Sequence, residues 1–112
     1  MDLRDRIEGD VVIIDLGGKL ISCVELKSFQ EKVRSYLEMN MKRFVIDLER
    51  VENAGSEGLG TLISAYTTVL KADGKLVLAN VGNVHNLLTI TRLYGVFEAY
   101  DSCSEALRAV RS

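Results

Sequence analysis

Apolar residues along the chain fall into two alternating patterns. Dense runs rich in β-branched residues recur at VVIIDL (11–16), RFVIDL (43–48) and KLVLAN (75–80). Their length reads as strands, and their weak polar alternation reads as burial on both faces. Between them, apolar residues recur at spacings of three and four. Leu26, Phe29, Val33 and Leu37 form one such stripe, with Lys27, Glu31, Lys32 and Arg34 off it. Leu59, Leu62, Ile63, Tyr66 and Leu70 form a second, stopped by Asp73-Gly74. These predict amphipathic helices. VHNLLTITRLYG (84–95) predicts another helix, VFEAY (96–100) a short strand, and Ala106, Leu107 and Val110 a small final helical stripe. Ser22 with Glu25, and Ser102 with Glu105, have the S-x-x-E spacing of a capping box at the first and last of these helices. LRDRIEG, ahead of the first run, predicts a ragged edge strand paired through Gly9-Asp10, and Gly17-Gly18 predicts a turn.

Strands alternating with helices predict an α/β fold with a mainly parallel sheet of four to five strands and helices packed on it. At 112 residues, with no proline, linker or repeat, residues 1–112 read as a single domain. In parallel sheets, sites lie beyond the carboxyl ends of the strands. The segment ENAGSEGLG (52–60) follows one strand and opens a helix, so it belongs to that edge.

Charge and composition narrow the chemistry. A formal net charge of −2 argues against direct nucleic-acid binding, which needs a basic face. No apolar run approaches the ~18 residues of a membrane span, and MDLRDRIEGD is too charged to begin a signal peptide, so a cytoplasmic location is expected. Cys23 and Cys103, far apart in sequence, read as reduced thiols rather than a disulfide or metal pair. His85 is the sole histidine and has no clustered partner, so neither a metal nor a cofactor is expected.

Ser56 admits several chemistries. Ala54-Gly55-Ser56-Glu57-Gly58 is one residue from the G-x-S-x-G nucleophile elbow of serine hydrolases. The triad would need His85 with Asp73 as its acid, yet Asp73 ends the helix that Ser56 begins, about 25 Å away at 1.5 Å per residue. Glycines 55, 58 and 60 resemble a phosphate cradle, but neither nucleotide-binding fingerprint is present and Glu57 places a carboxylate where the anion would sit. Ser56 also suits a helix N-cap. That role leaves Gly58 and Gly60 unexplained, since a glycine inside a helix costs about 1 kcal/mol against alanine. Two of them in a first turn imply a close approach to the backbone.

The stretch FVIDLERVENAGSEGLGTLISAY, followed by GKLVLANV and then LYGVFEAYDSCSEAL, resembles the anti-sigma-factor antagonists, small STAS-domain proteins. The resemblance runs from GDVVIIDLGGKL to SEALRAV and implies a single STAS-like domain. It also implies that Ser56 is a phosphoacceptor, acted on by an anti-sigma factor with serine kinase activity. Gly55, Ser56, Glu57, Gly58 and Leu59 would meet that partner, and a phosphatase would reverse the modification. The chain would then be the substrate of an enzyme and not an enzyme itself. Against the family pattern D-S-S/T-G-L-G, this chain has Gly55 before the serine and Glu57 after it, and G-E-L-D appears as Gly18-Lys19-Leu20-Ile21. A STAS docking module without phosphorylation, within a signalling or lipid-transport assembly, is the alternative those departures leave open.

Overall fold

A computed structural model describes residues 2–20, 23–54, 56–84 and 98–111. Its elements in chain order are β1 (Asp2–Glu8), β2 (Val11–Leu20), α1 (Cys23–Glu38), β3 (Arg43–Ala54), α2 (Ser56–Lys71), β4 (Lys75–Ala79), a 3-10 turn at Val81–Val84, β5 (Ala99–Tyr100) and α3 (Cys103–Arg111). The sheet order is β1-β2-β3-β4-β5. β1 pairs antiparallel with β2, and the other three pairings are parallel. The expected mainly parallel α/β sheet is therefore present, with five strands.

β1 is regular rather than ragged, since all of Asp2–Glu8 pairs with β2. Gly9, at φ 63°, supplies the left-handed conformation its two-residue turn requires. The crossovers β2-α1-β3 and β3-α2-β4 step in the same direction across the sheet. Right-handed crossovers of that kind place both helices on one face. There Val12, Ile14, Phe44, Ile46, Leu76 and Leu78 meet Phe29 and Val33 of α1 and Leu62, Ala65 and Val69 of α2 in the main core. The alternate strand residues Val11, Ile13, Val45, Val77 and Ala79 point to the other face, which α3 covers with Ala106 and Val110. Both faces being covered is why the runs carry so little polar alternation.

Helices α1 and α2 end in the same motif. Asn40 and Asp73 take the left-handed conformation, at φ 64° and 62°. Met41 N then donates to Tyr36 O at 3.0 Å, and Gly74 N to Val69 O at 2.9 Å, the bonds of a Schellman cap. At the start of α3 the predicted cap is present, with Glu105 N donating to Ser102 Oγ at 3.2 Å. The Ser22 cap and nearly all of the predicted helix 84–95 lie outside the described residues.

Three expectations change. Gly17-Gly18 is not a turn, because β2 runs through it to Leu20. β3 does not stop at Leu48 but continues to Ala54. Leu70 is 47% exposed, while Ala65 and Val69 are buried. The inward face of α2 thus runs through 59, 62, 65 and 69, and residue 70 sits one 100° step away from it.

Candidate functional site at the start of α2

The path into α2 is built by the ends of β2 and β3. Val11 pairs with Arg43 and Leu20 with Ala54, so ten residues of β2 run beside twelve of β3. The two extra residues enter at register shifts between Asp15 and Gly17 and between Gly18 and Lys19. Such bulges bend a strand and re-aim its side chains. Before the first shift, Phe44, Ile46 and Leu48 face the helices; after it Val51 does, and it is fully buried. Arg50 consequently falls beside Gly17. A Cβ on Gly17 would lie 3.2 Å from Arg50 Nη1 and 3.3 Å from its Cβ, so the arginine side chain occupies the space that a glycine leaves. Arg50 Nε donates to Asp15 Oδ1 at 3.3 Å. Gly18, at φ 78°, supplies the second irregularity. Glu49 and Glu52, near the two shifts, are exposed.

Asp47, the residue before the first shift, is only 7% exposed. Its Oδ1 accepts from Glu49 N at 3.0 Å and Asn80 Nδ2 at 2.9 Å, which satisfies a carboxylate held inside the fold. Asn80, at φ 56°, turns the chain out of β4. Register places Asp15 beside Asp47, and each binds a separate partner, Arg50 for one and Asn80 for the other. Sequence reasoning passed over both. The signal was present as Ile-Asp-Leu repeated at 14–16 and 46–48.

α2 begins at Ser56, directly beyond the carboxyl end of β3. The serine is the first residue of the helix, and residue 55 lies outside the described residues. Ser56 and Glu57 lie in the first turn, where orphan N–H groups and the helix dipole favour negative charge. Gly58 and Leu59 are buried, Leu59 at 6% in the main core. They face inward and anchor the turn. Gly60 is exposed, and no described atom would lie within 4 Å of a Cβ there. The close approach inferred from its glycine therefore has no source among the described residues.

Asp73, the acid of the hydrolase reading, is not brought to this turn. It lies past the far end of α2, whose 16 residues span about 24 Å, and His85 falls outside the described residues. Among the described residues no group of three or more His, Cys, Asp or Glu could hold a metal ion. Cys103 is a free, half-buried thiol whose pKa is raised by burial and then by Asp47, with Arg6 Nη2 at 3.8 Å opposing the shift. A protonated, partly covered thiol is a poor nucleophile. The strand order never reverses among the described strands, so the crevice that opens at a switch point in other parallel sheets is not formed there. What this edge offers is the start of a helix beyond the carboxyl end of β3.

Comparison with known proteins places this geometry. A sequence model of the STAS domain matches residues 3–106. A Thermotoga maritima protein assigned as an anti-sigma factor antagonist is similar over 98% of this chain and 95% of its own, at 25% identity and a TM-score of 0.85. An anti-sigma factor antagonist from Mycobacterium paratuberculosis is similar over 99% and 94%, at 25% identity and a TM-score of 0.82. SpoIIAA, a Bacillus cell fate determinant, shares the fold at 17% identity and a TM-score of 0.77 in its phosphorylated form, over 97% of this chain and 99% of its own. No curated protein sequence matches the chain. Among the described residues no helix is long and apolar enough to cross a membrane.

Proposed function

We propose that this chain, which belongs to the STAS-domain family, is an anti-sigma factor antagonist switched by phosphorylation at Ser56. Unmodified, it binds a kinase-type anti-sigma factor in the cytoplasm and so frees a sigma factor for transcription. The partner phosphorylates Ser56 and the complex parts; a phosphatase resets it. The chain contacts no nucleic acid itself and performs no catalysis.

One observation carries the reading. Ser56 opens α2 beyond the carboxyl end of β3, and one turn later an exposed glycine keeps open space above the helix. A glycine held at a cost in helix stability, with nothing described packed on it, suits a partner backbone that approaches from outside. A phosphate adds about −1.5 to −2 charges. At a helix N-terminus that charge meets the positive end of the dipole, so the domain tolerates it. At an interface it introduces an unpaired charge to be desolvated, which opposes binding. The similarity to two anti-sigma factor antagonists supports the same class of partner.

Gly55 and Glu57 beside the serine favour a second reading, a docking module that is never phosphorylated. Co-expression with the kinase-like protein encoded nearest the gene separates the two. Phosphate at Ser56 by mass spectrometry, and loss of the captured partner when Ser56→Asp is used as bait, are the expected results. Phosphate only on other residues, with Ser56→Asp retaining the partner, would leave the docking module standing.

A further inference from the structure

The strand that delivers Ser56 is held differently along its length. From Arg43 to Asp47, β3 has hydrogen-bonded strands on both sides, β2 and β4. Beyond Asp47 no pairing with β4 is formed among the described residues, and Arg50, Val51, Asn53 and Ala54 pair with Gly17, Gly18, Lys19 and Leu20. That pairing is interrupted by two register shifts within a few residues. Bulges interrupt the ladder, so the register there leans on the side chains around them, the buried Val51 among them.

We infer that Arg50 and Asp15 are positioning residues for Ser56, locking the bulged ends of β2 and β3 in the single register that carries the chain to the first turn of α2. Arg50 crosses Gly17 closely enough that even a methyl group there would meet its guanidinium and its stem. It then reaches back two positions along β2 to Asp15. The contact spans the first register shift, with Asp15 on one side and Gly17 on the other. A slip of one residue would swing Arg50 to the helix face and bring Val51 out of the core, where it is fully buried. The ion pair is partly sheltered, with side-chain exposures of 36% for Arg50 and 23% for Asp15. Ser56 lies six residues past Arg50, so the register fixed here sets where the helix begins. This deepens the proposed function, because it rests on Ser56 being the group presented.

Native-state hydrogen exchange on the full chain tests the lock without any partner. Arg50→Met keeps an apolar stem over Gly17 and removes the charge. Exchange at Val51 and Asn53 in β3 and at Gly60–Leu62 in α2 is expected to quicken about fivefold, with α1 and β4 unchanged. Arg50→Lys restores the contact with Asp15 and should recover most of the protection, which a loss of packing alone would not explain. Gly17→Ala, which leaves both charges in place, should displace the arginine and reproduce the Arg50→Met pattern. Unchanged rates at 51, 53 and 60–62 in both Arg50→Met and Gly17→Ala would overturn the inference, as would equal acceleration throughout the chain. These rates do not depend on phosphate, so an unmodified Ser56 in the co-expression experiment counts against the proposed function and leaves the lock intact.

Discussion

Two glycines of α2 and its cap show opposite reasons for the same residue. Gly60 is exposed with open space where a Cβ would stand, so alanine there meets nothing described and gains helix propensity. Gly60→Ala is expected to raise stability by about 0.5–1 kcal/mol in urea unfolding. The same substitution should weaken capture of the anti-sigma partner if that partner approaches the helix backbone closely. Gly74 is the reverse case. Its added Cβ would collide with Lys42 O, a backbone atom, and lie 2.8 Å from Val69 Cγ1. That crowding interrupts the bond from Lys75 N to Lys42 O that starts β4. Gly74→Ala should therefore cost about 1–3 kcal/mol in the same measurement. Sequence alone marked Gly74 as a helix stop and Gly60 as a costly helix glycine that implies a close approach; the space around each separates a glycine the fold requires from one it does not.

At the scale of elements, the edge strand β1 is fastened to α1 through polar groups that periodicity does not reveal. Tyr36 stacks edge-on to Phe44, with ring centroids 6.5 Å apart at 74°, and its hydroxyl donates to Asp5 Oδ2. Lys32 Nζ lies 3.7 Å from the other oxygen of Asp5. The Asp5 carboxylate, through this hydrogen bond, and then burial hold the Tyr36 pKa above 10.0. A raised pKa in the folded state stabilises the neutral phenol. That contribution is complete below pH 10 and is lost as pH rises through the folded value. Tyr36→Phe should cost about 1–2 kcal/mol at neutral pH, and its deficit against wild type should shrink above pH 10. A deficit constant to pH 11 would remove Asp5 as the cause. Strand interiors were legible because Val, Ile and Leu crowd both faces of the sheet. The ends of β2 and β3 were not, because Gly17-Gly18 and Arg50–Asn53 carry polar and flexible residues that read as loops, and the bulges erase the two-residue period. The motif placed Ser56 at the turn from β3 into α2, where the helix does begin; the Asp15–Arg50 pair joins residues 35 apart and leaves no local trace.

For the whole molecule, the uneven covering of the sheet decides where the fold yields first. The face under α1 and α2 is closed by two helices of 16 residues each, whereas among the described residues the other is covered by the nine residues of α3. Of that helix only Ala106 and Val110 are buried. Cys103 and Leu107 pack against the same cluster while partly exposed, and a few polar contacts add to them. Lys75 Nζ donates to Ala109 O at 3.3 Å and Arg111 Nη2 to Glu8 O at 3.4 Å, with the weak Arg6 contact to Cys103 beside them. A helix this short is unstable alone, so its persistence rests on that small apolar contact. Its amides should then exchange through openings at least about 2 kcal/mol cheaper than global unfolding, ahead of those in α1 and α2. Ala106→Asp would place a charge against Val11, Ile13, Val45 and Val77, the apolar face that α3 covers. The expected product is a chain that keeps its sheet and the α1–α2 core, binds a hydrophobic dye and self-associates in sedimentation. If α3 amides instead exchange only with global unfolding, α3 is an integral part of the cooperative core. The start of α2, at the carboxyl edge and rooted in the layer of the two long helices, is spared by this opening, which is what the proposed docking at Ser56 requires.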